Sequence, residues 1–211
     1  MPKTLDPAHG RAAQVPALIL ASTSRYRREL LLRLRLPFSV VAPQTDETAQ
    51  AGETPAALAV RLALAKARAV AALQPHAVVI GSDQVADLDG QALGKPGSHE
   101  RAREQLQLLS GRLAVFQTAV AVVRADTGFE QVELAAVKVQ FAQLDDARIE
   151  RYLRLEQPYD CAGSAKCETL GIALLERIDS DDPTALIGLP LIRTCRLLRA
   201  AGIDPLLQAQ T

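Results

Sequence analysis

Ala17-Leu18-Ile19-Leu20-Ala21-Ser22-Thr23-Ser24 is five apolar residues without a break followed by three small hydroxylated ones. An unbroken apolar run of this length is the pattern of a strand buried on both faces, and the polar triplet is how such a strand leaves a sheet toward a helix. Working outward, Leu30, Leu31 and Leu34 recur at helical spacing from Tyr26 until Pro37 ends the helix, and residues 38–41 return as a second strand. A polar loop through Gln44, Asp46 and Glu47 reaches Thr54-Pro55, an N-cap followed by proline at the first helical position, which starts a helix running to about Leu73. Residues 78–80, Val-Val-Ile, read as a further buried strand. Strand, helix, strand, helix, strand predicts an α/β fold.

The second half adds antiparallel signals. Asp89-Gly90 marks a hairpin turn, and residues 98–109 form an amphipathic helix closed by Ser110-Gly111. Residues 113–123 and 132–141 are β-rich and joined through Asp126-Thr127-Gly128, so they pair as an antiparallel hairpin and make the sheet mixed. Asp145 caps a helix through Leu155, glycine and proline punctuate 157–171, residues 172–178 read as one more strand, and 190–201 supply the last helix. Without repeats, low-complexity tracts or linkers, the chain divides into an N-terminal extension at 1–16, one domain over 17–203 and a C-terminal tail at 204–211.

Composition excludes several functions. The 211 residues carry 24 basic and 24 acidic side chains, so no global field draws nucleic acid or a membrane surface, and any polyanion binds at a local site. No apolar run reaches the length of a membrane span, and residues 1–16 lack the apolar core of a secretory signal. Cys161, Cys167 and Cys195 are odd in number and lack metal-ligand spacing, which predicts a reducing compartment and a cytoplasmic location. His9, His76 and His99 match no zinc motif, and neither a Gly-x-Ser-x-Gly elbow nor a glycine-rich dinucleotide fingerprint is present. Gly94-Lys95 is not a Walker A loop, because the upstream glycine and the following Ser/Thr are missing. Carboxylates and dispersed cations remain, a set suited to phosphate chemistry with magnesium or manganese on oxygen ligands.

Five groups of charges stand out against the local pattern. Arg25, Arg27 and Arg28 fall in the first turn of a helix, where the macrodipole disfavours each cation by roughly 0.3–1 kcal/mol. Either an anion held with the hydroxyls of Ser22 and Ser24 reverses that sign, or the arginines are solvated and Ser24 is a helix cap. Lys66 lies on the apolar stripe of Leu58, Leu62, Ala69 and Leu73, so it meets an anionic partner or snorkels to water. Asp83 follows the strand at 78–80, at the end where open α/β sheets bind ligands; it holds a cation, takes a proton, or caps a turn. Lys95 occupies a rigid bend before Pro96, and Asp46-Glu47 places two carboxylates in a loop.

Taken in order, Leu18-Ile19-Leu20-Ala21-Ser22-Thr23-Ser24 with Arg27-Arg28, Gly81-Ser82-Asp83-Gln84-Val85, Gly94-Lys95-Pro96, Leu109-Ser110-Gly111, Ala162-Gly163-Ser164 and Gly188-Leu189-Pro190-Leu191 resemble the Maf family across residues 17 to 201. The resemblance implies a nucleoside triphosphate pyrophosphatase of Maf/ITPase-like α/β fold, a mixed twisted sheet flanked by helices with two lobes around a central cleft, and a possible homodimer. It implies that Asp83 is the proton acceptor and a metal contact, that Glu47 is a second acidic group at a divalent cation, and that Ser22, Arg27, Lys66 and Lys95 line the triphosphate. Tyr26, Gln84 and Glu168 match positions tied to substrate choice. With Cys161-Ala162-Gly163-Ser164 they resemble the branch acting on 7-methyl-GTP, whose cationic base an aromatic ring and a carboxylate would attract. The competing expectations are a dTTP/UTP pyrophosphatase on the same scaffold and a non-enzymatic nucleotide-binding regulator of cell division. Arg25 departs from the proline or other residue often found before this helix.

Overall fold

Parallel pairing organises the first half of one seven-stranded sheet. β1 (Leu18–Ala21) lies between β2 (Ser39–Val41) and β3 (Val78–Leu88), parallel to both. β4 (Gln91–Leu93) folds back on the far end of β3 through Asp89 and Gly90, whose φ angles of 52° and 86° are those of a type I′ turn. The sheet continues antiparallel through β5 (Leu113–Arg124), β6 (Phe129–Phe141) and β7 (Leu175–Asp179), in the order β2-β1-β3-β5-β6-β7. Among the described residues six α-helices flank it: α1 (Arg25–Leu32), α2 (Pro55–Ala71), α3 (His99–Leu109), α4 (Asp146–Glu156), α5 (Leu191–Ala200) and the short α6 (Pro205–Gln208). This computed structural model describes residues 15–210, so residues 1–14 of the expected extension lie outside the described residues.

Alternation along the strands sorts the core. Ile19, Ala21, Val79, Val85, Ala119 and Ala121 face α2 and pack on its Leu58, Leu62, Ala63, Ala67 and Val70. Leu18, Leu20, Val78, Ile80, Val120 and Val122 face the other way, onto Leu30 and Leu31 of α1 and Leu197 and Leu198 of α5. Farther along β3, β5 and β6 a separate core of Leu88, Phe116, Val137 and Phe141 is covered by Leu106 of α3 and Ile149 and Leu153 of α4. The long strands thus carry one group of helices at each end, with the cleft between them.

Local signals placed most boundaries. Ser24, Thr54, Ser98 and Asp145 each accept a hydrogen bond from the third residue of the helix they precede, and Pro55 opens α2. Five expectations need correction. β3 does not end at Ile80 but runs to Leu88, because β5 pairs with it from Val79 to Asp87 and its polar side chains find partners. α1 stops at Leu32, before Leu34, where the chain turns through a left-handed Arg35 (φ 53°). The buried stripe of α2 runs through Leu62, Lys66 and Val70; Ala69 is half-buried, and Leu73 lies beyond the helix and is exposed. Residues 170–174 wind as a 3-10 turn, so β7 begins only at Leu175. After α5, Asp204 caps a further turn, α6.

Candidate active site

The sheet has a window. β1 ends with Ala21 level with Gly81, and β4 ends with Leu93 level with Ala86. Between them Ser82, Asp83, Gln84 and Val85 have no strand on that edge among the described residues, while β5 pairs with them on the other. A cleft of about 400 Å³, within the range of small-molecule sites, opens there. The chain leaving β1 brings Ser22, Tyr26 and Arg27 to it, and the chain leaving β4 brings Lys95.

On the α2 side, Lys66 Nζ donates to Asp83 Oδ1 at 2.6 Å and pairs with Glu47 Oε1 at 2.7 Å. Lys66 and Asp83 are buried, whereas Glu47 reaches in from an exposed loop. The approach depends on Gly81. A Cβ there would lie 2.6 Å from Ala67 N and closer still to Ala63 O, so only glycine lets α2 lie this tightly on β3 and hold Lys66 over Asp83. Partial burial works against the Glu47 carboxylate, but the Lys66 ammonium, with Lys95 and Arg27 nearby, holds its pKa below the ordinary value. Asp46 turns away, accepting from Thr48 N at 2.9 Å.

On the opposite face, Arg27 Nε donates to Gly188 O at 2.9 Å, which leaves its two NH2 groups for the cleft. Burial lowers the Arg27 pKa, with Asp83 and Glu47 opposing. Gly188 O also accepts from Ser82 Oγ at 3.1 Å. Ser22 is buried and its Oγ accepts from Ser24 N at 3.1 Å, closing the turn before α1. Gln84 Nε2 donates to Thr118 Oγ1, Ala185 O and Leu186 O at 2.9–3.0 Å, so its amide nitrogen is committed to the 185–187 turn and Oε1 is the atom left for a ligand.

Glu168, Asp160, Cys161 and Ala162 form the far wall with Tyr26. Tyr26 Oη accepts from Arg25 at 2.7 Å, and the Arg25 guanidinium stands 4.7 Å from the Tyr26 ring centroid. Burial raises the Tyr26 hydroxyl pKa. Ser22, Ser24, Arg25, Tyr26, Arg27, Glu47, Lys66, Gln84, Lys95 and Glu168, all singled out from the sequence, therefore line one cleft, and Asp83 lies beneath it bonded to Lys66. Arg28 is exposed and does not line it. Leu109-Ser110-Gly111 does not reach the cleft either: Ser110 Oγ accepts from Leu144 N at 2.7 Å and ties the end of α3 to the segment between β6 and α4.

Sequence reasoning missed Gly81 as a packing residue, the Gly188 carbonyl, Thr118 and Asp160. The small pair Ala63 and Ala67, four apart on a helix, was the available signal for a close helix–strand contact. Asp160 had none.

Two carboxylate oxygens converge on the point held by Lys66 Nζ, and no group of three or more His, Cys, Asp or Glu capable of holding a metal occurs among the described residues. That point is filled by the Lys66 ammonium, so the carboxylate oxygens that could hold a metal are the second oxygens of Glu47 and Asp83.

The fold and cleft together define an α/β protein whose cleft gathers cations from both faces of the sheet at one end, over a carboxylate pair, with an aromatic, acidic wall at the other. The chain belongs to the family of Maf-like proteins, whose model matches residues 17–201. It is 70% identical over 189 residues to a protein of Albidiferax ferrireducens called 7-methyl-GTP pyrophosphatase, covering 90% of this chain and 95% of that one. Proteins of the same name from Polaromonas sp. and Bordetella pertussis are 70% and 60% identical, over 88% and 90% of this chain and 85% and 95% of theirs. A HAM1 protein from Coxiella burnetii has a TM-score of 0.41 at 16% identity, covering 61% of this chain and 74% of that one, a likeness too loose to bear on the site.

Proposed function

We infer that this protein hydrolyses a nucleoside triphosphate, 7-methyl-GTP, to its monophosphate and pyrophosphate. The observation that carries the reading is the convergence of Arg27, Lys66, Lys95 and Ser22 on one cleft whose floor holds Asp83. Relatives at 60–70% identity bear the name of that activity. Arg27, Lys66 and Lys95 bind the triphosphate and neutralise charge that grows on the departing pyrophosphate. Asp83 accepts the proton of the attacking water at Oδ2, since Oδ1 is held by Lys66. Tyr26, Gln84 and Glu168 hold the base. A divalent cation, magnesium or manganese, would sit against Glu47 and Asp83 and supply further charge neutralisation on the phosphates.

No helix among the described residues is long and apolar enough to cross a membrane. Three free cysteines suit a reducing compartment, and a cytoplasmic location is part of the proposal.

The test is pyrophosphate release from 7-methyl-GTP, GTP, dTTP and UTP, each with magnesium, with manganese and with a chelator. The expected result is preference for 7-methyl-GTP, dependence on the cation, and near-complete loss in Asp83→Asn with the fold intact. Preference for dTTP or UTP would move the protein to a pyrimidine-specific activity. Nucleotide binding without turnover would make it a regulator.

A further inference from the structure

Asp160 has no role in the reading above, yet its carboxylate lines the same cleft. Its contacts all fall on one oxygen. Tyr26 Oη donates to Oδ1 at 3.4 Å across 134 residues of sequence, Cys161 Sγ lies at 3.5 Å and Lys166 Nζ at 4.0 Å from the same atom. Oδ2 has no partner among the described residues, and the side chain is 55% exposed. Lys166, by contrast, is buried and donates from Nζ to Glu156 O at 2.9 Å, at the C-terminal end of α4, where a cation is favoured. Lys166 therefore anchors the 160–168 wall and leaves Asp160 facing the cleft.

Charge separates the two ends of the cleft. A triphosphate is attracted to Arg27, Lys66 and Lys95, whereas the far wall offers its phosphates no net positive charge, so the base is left to Tyr26, Asp160 and Glu168. At that end of the cleft stand two cations, Arg25 on the lining and Lys166 buried behind it 4.0 Å from Asp160, and two carboxylates, Asp160 and Glu168. With Asp160 neutralised, the four groups carry a net positive charge. A purine methylated at N7 is itself cationic; an unmethylated one is not.

We propose that Asp160 is a specificity-determining residue, whose carboxylate offsets Arg25 and Lys166 and so admits a cationic N7-methylated purine in preference to its neutral counterpart. This inference rests on the proposed nucleotide pyrophosphatase function. It assigns the discrimination to charge on the far wall and not to Glu168 alone.

The experiment compares wild type, Asp160→Asn, Asp160→Glu and Tyr26→Phe. It reads kcat/KM for 7-methyl-GTP and GTP, and Kd for 7-methyl-GMP and GMP by calorimetry, slightly below neutral pH so that the methylated base keeps its charge. In Asp160→Asn both ratios, methylated over unmethylated, fall on the order of tenfold, the Coulombic effect of one charge at about 6 Å in a half-solvated site. Asp160→Glu retains most of the preference, and Tyr26→Phe, which lacks the hydroxyl but keeps the ring, shifts it less than Asp160→Asn does. Equal losses on both bases, unchanged ratios, or a Tyr26→Phe effect as large as that of Asp160→Asn would overturn the proposal. If wild type cleaves neither triphosphate, the hydrolase reading fails, while the monophosphate Kd ratios still decide the role of Asp160.

Discussion

Lys66 of α2 and Asp83 of β3 meet at 2.6 Å with both side chains shielded from water, and Glu47 completes the contact from the open side. A buried ammonium between two carboxylates ties the floor of the cleft to the stability of the fold. Replacing Lys66 by Met leaves Asp83 buried without its cation, and removing one partner of such a pair costs about 3 kcal/mol or more. Urea denaturation of Lys66→Met should show that loss, with part of it recovered in Lys66→Met/Asp83→Asn. A single variant as stable as wild type would mean that the pair is not formed in solution.

Gly81 sets the distance between α2 and β3. Gly81→Ala forces a methyl group against the Ala63 carbonyl and the Ala67 amide, both backbone and unable to yield cheaply. Overpacking of this kind costs about 1–3 kcal/mol, and the displaced helix carries Lys66 with it. A misplacement near 1 Å can lower activity on the order of 100-fold. Thermal unfolding and kcat/KM should therefore fall together in this variant, although residue 81 is not proposed to contact the nucleotide.

The Glu53 carboxylate is held by Arg61 at 2.6 Å and its pKa is depressed from 4.5 to about 2. Between those values the unfolded chain binds a proton that the folded chain does not. The contribution of Glu53 to stability is thus complete above its ordinary pKa and is lost as pH falls toward about 2. Denaturant midpoints measured across that window should fall less steeply with acid in Glu53→Gln than in wild type. Parallel profiles would show that Arg61 does not hold the carboxylate.

Burial pushes the thiols of Cys161 and Cys167 up to about 12, so both stay protonated at neutral pH and alkylate slowly. Cys161 lines the cleft and Cys167 does not. Mass-spectrometric mapping of iodoacetamide labelling should show nucleotide protecting Cys161 more than Cys167. Equal protection of the two would place the base elsewhere.

Much of the architecture was readable from local pattern. The run at 17–21, the caps Ser24, Thr54, Ser98 and Asp145, and the Asp89-Gly90 turn each specify their structure through neighbours a few residues away. The stock of phosphate-type residues was readable for the same reason: a lysine on a buried helix face, or arginines at a helix start, stand out against their own surroundings. What neighbours could not reveal was whether those residues meet.

By itself, then, the sequence determined an α/β order with an antiparallel second half and a set of charged residues awaiting partners. Only the tertiary structure decided that β3 continues through Ser82, Asp83 and Gln84. Polar residues end a strand when judged alone, but here β5 satisfies their backbone, and Lys66, Ala119 O and Thr118 satisfy their side chains. It alone decided that β1 and β4 leave a window over those residues. It also placed Gly188 against Arg27 and Asp160 against Tyr26, contacts between residues 161 and 134 positions apart. Pairings over such separations are set by which strands lie side by side, information that resides in the packing of the whole chain and in no one segment of it.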